Sequence, residues 1–233
     1  ERGSVKVFVV GSCRVWRPLR RMQELGQVAL TNHVDPWWFT HSARAAVQFL
    51  TVTLGDGSIP PDLHPLIVET HPPARRVSFH GGEAFAQAQA LVVEVSSLRC
   101  NLARDWDLNR NLIVAQPERA AGLEMLRTFE VSEAIFNRDL RRIKRFAAGR
   151  PIVFVDAIHW VDRRGTVPMR VRLSQYLARG AAEIGETVLH TEQILRGHDP
   201  AQTLNSRDHY GQAFEPVVGA AILDALRGRL VAE

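Results

Sequence analysis

The stretch Val5-Lys6-Val7-Phe8-Val9-Val10-Gly11-Ser12-Cys13-Arg14 decides how this chain folds and where it works. Residues 7–10 are β-branched or aromatic and apolar without a break, the pattern of a strand covered on both faces. Gly11 then allows a sharp turn that a residue with a Cβ resists. A helical pattern follows at once, from about Arg14 to Leu25. The turn thus brings two side chains able to attack a carbonyl, Ser12 and Cys13, to a helix N-terminus. The free N–H groups there favour a thiolate and an oxyanion alike.

Outward from this stretch, strand-like and helical segments alternate. Further strands are expected near Gln27–Thr31, Ala90–Val95, Pro151–Asp156 and Thr187–His190. Helices are expected near Ser42–Leu54, Glu118–Ala148, Pro168–Ile184 and Gln212–Val231. The range Glu118–Ala148 is long for one helix, but Leu123, Leu126, Phe129, Ile135, Phe136, Leu140, Ile143 and Phe146 recur at helical spacing. Such alternation argues for a parallel sheet with helices on both faces, whose ligands bind beyond the carboxyl ends of the strands. No linker interrupts the pattern, so residues 1–233 are expected to form one α/β domain. The Pro/Gly-rich excursion at 55–80 is expected to serve as a lid or rim.

Composition narrows the function classes. The chain of 233 residues is 45% hydrophobic and has a net charge of +4. Its cations are nearly all arginine, with Lys6 and Lys144 the only lysines. They are scattered and lack interleaved aromatics, which argues against nucleic-acid binding and leaves an anionic small substrate or an acidic carrier protein. No uncharged apolar run is long enough to span a membrane. Two cysteines, Cys13 and Cys100, make no disulfide framework, so a reduced, cytoplasmic setting is expected. Oligomeric state is not legible.

A second informative segment, Asn205-Ser206-Arg207-Asp208-His209-Tyr210-Gly211, precedes the last helical stretch. If that helix packs beside the first strand, His209 reaches the mouth of the strand. An early nucleophile and a late base make the arrangement of acyl-transfer enzymes, in which histidine takes the proton of the attacking group.

These two segments together resemble the SGNH (GDSL-type) hydrolase superfamily. The resemblance implies a three-layer sandwich with a mainly parallel, five-stranded, flavodoxin-like sheet. It rests on two of the superfamily's four blocks. Counting from Gly11, Cys13 holds the nucleophile position and Ser12 the place of an aspartate. In the last block, D-x-x-H, the residue three before His209 is Ser206, and Asp208 is adjacent instead. The third block, G-x-N-D, is replaced after Val95 by Ser96-Ser97-Leu98-Arg99, so Ser97 and Arg99 stand as alternative oxyanion donors. The G-S-C opening is similar to those of SGNH-like branches that place cysteine where the hydrolases have serine, one of them a family of capsule-polysaccharide acetyltransferases.

The expected function is therefore acyl transfer on an ester or thioester, as acyltransferase, esterase or thioesterase. Cys13 (or Ser12) is the nucleophile, His209 the base, and Asp208 either orients His209 or caps the last helix. A helix N-terminus is expected to lower the Cys13 pKa. Gly11, Arg14, Ser97, Arg99, His41 and Ser42 are expected around the oxyanion or substrate, with Ser42 also a plausible helix cap. Glu94, in an otherwise buried strand, needs a cation, and Arg99 or Arg170 could supply it. Asp156 and His159 are expected at the same mouth. Their spacing with His209 fits no metal signature, and neither metal nor cofactor is required. An acyl-CoA or acyl-carrier-protein thioester is the possible co-substrate. The alternative is a non-catalytic SGNH-like ligand-binding or biosynthetic accessory protein.

Overall fold

Phe8 and Val10 pack into one core while Val7 and Val9 pack into another, so the first strand feeds both faces of a sheet. The computed structural model describes residues 4–32, 38–69, 81–159, 167–206 and 208–231. Within them the chain runs through β1 (Val5–Val10), α1 (Cys13–Glu24), β2 (Val28–Leu30), α2 (Ala43–Thr53), α3 (His64–Ile67), α4 (Gly82–Gln87) and β3 (Ala90–Glu94). It continues through β4 (Arg99–Ala103), β5 (Trp106–Asp107), α5 (Arg110–Ala115), α6 (Pro117–Ala121), β6 (Arg127–Glu130), α7 (Glu133–Ala147), β7 (Ile152–Val155) and α8 (Pro168–Glu183). Last come β8 (Thr187–Leu189), α9 (Thr191–Leu195), α10 (Pro200–Thr203), β9 (Leu204–Ser206), β10 (His209–Tyr210) and α11 (Glu215–Val231).

The central sheet has the order β2-β1-β3-β7-β8, and every neighbouring pair is parallel. Counted among themselves, these five strands have the flavodoxin order 2-1-3-4-5, which reverses direction between β1 and β3. On one face Leu91, Val93, Ile152 and Phe154 join Phe8 and Val10 under α2, α7 and α8. On the other, Val92, Val153 and Val155 join Val7 and Val9 under α1 and α11. The three-layer sandwich expected from the sequence is the architecture observed. Burial on both faces is why these strands read as unbroken apolar runs.

Two features fix the flank of the sheet at β1, and the second brings the ends of the chain together. The Asn32 side chain extends the β1–β2 pairing, with its Oδ1 accepting from Val9 N at 2.9 Å and its Nδ2 donating to Val9 O at 2.8 Å. On the same flank α11 packs closely on α1. A Cβ at Gly219 would lie 2.6 Å from the Pro18 carbonyl oxygen and 2.7 Å from Met22 Cγ. This contact sets the segment preceding α11 beside the start of α1.

The stretch expected as one helix over Glu118–Ala148 is three elements, α6, β6 and α7. Helix α6 stops at Gly122, and Met125 takes a left-handed φ of 61° that no helix continues through. Residues 127–130 then pair antiparallel with β4, setting Phe129 opposite Cys100. Leu123 and Leu126 keep helical spacing yet pack against a third apolar cluster built around Leu63, Leu66 and Ile67. The resulting small sheet, β5-β4-β6, was not expected from the sequence. Residues 55–69 of the Pro/Gly-rich excursion carry α3, and Ile67 and Glu69 reach the rim of the cavity described below. Residues 70–80 of that excursion lie outside the described residues.

Candidate active site

The glycine turn is demanded by closeness rather than by a left-handed backbone. A Cβ on Gly11 would lie 2.7 Å from Glu94 Cβ and 2.7 Å from Val15 Cγ2, and Gly11 is absent from the positions of positive φ. Because β1 passes this near β3, the Ser12 N–H donates to Glu94 Oε2 at 2.6 Å. Ser12 caps α1, its Oγ accepting from Arg14 N at 3.3 Å. Cys13 is the first residue of α1 and half-buried.

Arg14 is the hub of the turn. Its Nε lies 2.7 Å from Glu94 Oε1 as an ion pair and 3.1 Å from Ser12 Oγ. Its Nη2 donates to Ser96 Oγ at 2.7 Å and to His41 Nδ1 at 3.1 Å. Glu94 is fully buried, and its charge is tolerable because a cation and a backbone donor meet it. The cation is Arg14, not Arg99 or Arg170 as the sequence suggested. Arg14 is thereby committed to the protein's own groups rather than to a substrate anion.

The Cys13 thiol differs from expectation. Burial, and next the Glu94 carboxylate, push its pKa above the ordinary value. Arg14, Arg17 and a hydrogen bond from Ser12 pull the other way and do not prevail. The helix N-terminus expected to give a low-pKa thiolate is offset by the burial of the thiol and, after that, by the Glu94 carboxylate.

A cavity of about 580 Å³ opens beyond the carboxyl ends of β1 and β3, at the point where strand order reverses. Ser12, Cys13, Arg14, His41, Ser96, Ser97, Arg99, Asp208 and His209 line it together, with Trp38, Phe39 and Met169 among its apolar walls. Trp37, grouped with Trp38 and Phe39 by sequence as core or pocket wall, lies outside the described residues. The late histidine and the early cysteine therefore share one chamber.

His209 stands on β10, exposed, and its Nδ1 lies 3.1 Å from Ser206 Oγ. Asp208 neither orients it nor caps α11, because its carboxylate pairs with Arg170. The residue three before the histidine, which in the D-x-x-H block is the acid, is thus its partner here as a serine. His41 is held differently. Its carbonyl accepts from Ser96 N at 2.8 Å and Ser97 N at 2.9 Å, which ties it to the turn after β3. Burial, then Arg14, lower its pKa to about 4.

Several expected residues have other work. Ser42 is not in the cavity wall; it caps α2 by accepting from Ala45 N at 3.0 Å and donates to Asp107. The Ser97 hydroxyl folds onto Arg99, accepting from its N at 2.9 Å and donating to its O at 3.1 Å, so it is not a free oxyanion donor. Arg99 itself is exposed at the cavity edge. Asp156 and His159 do not line the cavity. Asp156 binds His190 Nδ1 at 2.8 Å, Ser174 Oγ at 2.9 Å and Thr191 N at 2.8 Å. Among the described residues no three His, Cys, Asp or Glu side chains are placed to hold a metal ion, and no helix is long and apolar enough to cross a membrane. Ser96 was missed; the signal was its place directly after the third strand, where the sequence reading turned to Ser97 and Arg99.

The family model described as the TviD N-terminal domain matches residues 5–129, more than half of the chain. Among solved structures, the lipase/acylhydrolase from Enterococcus faecalis is similar at 11% identity and a TM-score of 0.49, over 97% of this chain and 96% of that one. The lipopolysaccharide acetyltransferase periplasmic domain of Salmonella ser. Paratyphi A is similar at 9% and 0.47, over 97% and 85%. A catalytic mutant of the acetylxylan esterase Axe2 from Geobacillus stearothermophilus is similar at 10% and 0.47, over 96% and 95%. At these scores the likenesses carry no argument about chemistry, and the fold stands on the chain's own strand order. No curated protein matches the sequence.

Proposed function

The chain belongs to the TviD N-terminal domain family, and on the geometry of its cavity we propose that it is an acyl-transfer enzyme acting on an ester or thioester. Cys13 is the nucleophile and His209 the base. The observation that carries this reading is that these two side chains, from opposite ends of the sequence, line one cavity at the switch point of the sheet. Ser12 is the weaker nucleophile, because it is buried and its Oγ already accepts from Arg14 N and Nε.

The raised thiol shapes the mechanism. Cys13 attacks as its proton passes to His209, rather than from a standing thiolate. The S–C bond forms and the carbonyl π pair moves to oxygen. On collapse the alcohol or thiol leaves with the proton held by His209. A hydroxyl, an amine or water then attacks the acyl-cysteine as His209 takes its proton; on collapse the S–C bond breaks and the proton passes from His209 to the departing Cys13 sulfur. The Ser206 hydroxyl at Nδ1 orients the ring where a carboxylate is more usual. An acyl-CoA or an acyl-carrier-protein thioester is the proposed donor, since exchange between a thiol and a thioester is nearly balanced.

Turnover of p-nitrophenyl acetate tests the reading. Cys13→Ala and His209→Ala are each expected to lose at least ~100-fold, the range for removing a nucleophile or general base. Wild-type turnover in both variants would refute it. A wild-type protein inert both to the ester and to iodoacetamide at Cys13 would favour the accessory-protein reading, which draws on the raised thiol and on the serine at position 206.

A further inference from the structure

The cavity holds a second histidine whose chemistry the reading above leaves unused. His41 lies just ahead of α2, and its side-chain polar contacts among the described residues both involve Nδ1: Arg14 Nη2 at 3.1 Å and Ser96 Oγ at 3.4 Å. A guanidinium only donates and stays protonated in proteins. Nδ1 must therefore be the acceptor, and the proton of the neutral ring is on Nε2. That Nε2–H has no hydrogen-bond partner among the described residues, and His41 lines the cavity with Cys13 and His209. Arg14 also links the ring to the turn that bears the nucleophile, because its guanidinium meets both His41 and the hydroxyl of Ser12, the residue before Cys13.

We propose that His41 is a catalytic residue, a neutral imidazole whose Nε2–H donates to the oxyanion formed when Cys13 attacks the acyl carbonyl. This rests on Cys13 being the nucleophile. It also fills a gap. The turn after β3 carries Ser96-Ser97 where the superfamily resemblance expects an asparagine donor, and the Ser97 hydroxyl is occupied. That turn instead grips the His41 carbonyl with two backbone N–H groups, fixing the imidazole at the mouth of the sheet.

The charged and titratable groups around the ring agree with the role. Arg14 faces Nδ1, Glu94 stands behind Arg14, and Asp208 and His209 face it from the β9–β10 hairpin. Burial and Arg14 outweigh the two carboxylates, so the ring is neutral at any working pH and cannot compete with His209 as the base. The charge balance of the attack step is simple. The thiol proton is on His209, the new negative charge is on the former carbonyl oxygen, and His41 shares its Nε2 proton without releasing it. A donor fixed before reaction costs no reorganisation when the charge appears.

The test uses the full chain, p-nitrophenyl acetate as the ester and iodoacetamide as the thiol probe. His41→Phe removes the donor, and His41→Gln restores an amide able to accept from Arg14 and donate to the cavity. Phe is expected to lower kcat by roughly 100–1000-fold with KM nearly unchanged, and Gln to recover most of it. Alkylation of Cys13 forms no oxyanion, so its rate should stay within about twofold of wild type in both variants. If Cys13→Ala abolishes turnover while His41→Phe keeps it, or if His41→Phe slows alkylation as much as turnover, the oxyanion role is wrong and the nucleophile reading stands. If Cys13→Ala keeps turnover, both are wrong.

Discussion

The carboxyl edge of the sheet carries two polar clusters, each built on a buried carboxylate and a histidine, and they shift the histidine's pKa in opposite directions. At β1 and β3, Arg14 stands between Glu94 and His41 and donates to Nδ1, and burial together with this cation lowers the ring's pKa to about 4. At β7 and β8, Asp156 meets His190 Nδ1 directly at 2.8 Å, and that hydrogen bond raises the His190 pKa. Ser174 completes what by composition is a Ser-His-Asp trio. Yet Ser174 and Asp156 both meet Nδ1, so no path runs from the serine proton through Nε2. The first cluster lines the cavity that holds Cys13, and the second does not line it. What separates the two here is the group that meets Nδ1, a guanidinium at His41 and a carboxylate at His190, and whether the ring lines the cavity that holds Cys13.

The largest expected difference is in activity. Cys13→Ala should lose at least ~100-fold in ester turnover, whereas Ser174→Ala should stay within about threefold. A loss in Ser174→Ala equal to that in Cys13→Ala would erase the distinction between the clusters. Next is stability. Glu94→Ala strands the buried Arg14 charge and should cost about 3–5 kcal/mol in denaturant unfolding. Asp156→Ala removes hydrogen-bond acceptors at the other cluster and should cost about 1–3 kcal/mol. The milder Glu94→Gln should also shift the pH midpoint of Cys13 alkylation downwards, since Glu94 helps to raise the thiol.

The two histidines should tilt stability in opposite directions with pH. Between pH 6.5 and about 4 the unfolded chain protonates residue 41 while the folded chain does not. Stability from His41 is thus full above pH 6.5 and falls on acidification, by about 3 kcal/mol over that window. His190 is the reverse. Its raised pKa makes the folded chain hold a proton that the unfolded chain releases, so its contribution is full below pH 6.5 and is lost as pH rises through the folded value. Chemical unfolding of His41→Phe and His190→Phe across this range should flatten the acid limb in the first and the alkaline limb in the second. Matching slopes in both variants would contradict the assigned protonation states. The smallest effect concerns His209. Ser206→Ala should lower turnover roughly tenfold, the worth of one hydrogen bond, while Asp208→Asn should change it less than about threefold.

The parallel sheet was legible because burial on both faces leaves β1, β3 and β7 as unbroken apolar runs, a signal local to each segment. Strand β6 left no such trace. All four of its residues are exposed, so no alternation marks it, and the helical spacing of Leu123, Leu126 and Phe129 covered it. The site divides in the same way. Gly11 and Cys13 are legible because they sit directly after a buried strand, and His209 because it lies in the polar segment leading to the last helix, places where chemistry collects in this architecture. The partner of Glu94 was not, since Arg14, Arg99 and Arg170 are equivalent in sequence and only the packing of β1 on β3 selects the first. Ser42 shows the converse, a residue type suited both to capping and to catalysis, which its bonds to Ala45 N and Asp107 assign to capping.

Peptide-level mass spectrometry after a short exposure to p-nitrophenyl acetate, quenched in acid, tests the central claim most directly. One acetyl group on the peptide bearing Cys13, formed far more slowly in His209→Ala, is the predicted result. Acetyl on Ser12 or elsewhere, or equal labelling of Cys13 with and without His209, would contradict it.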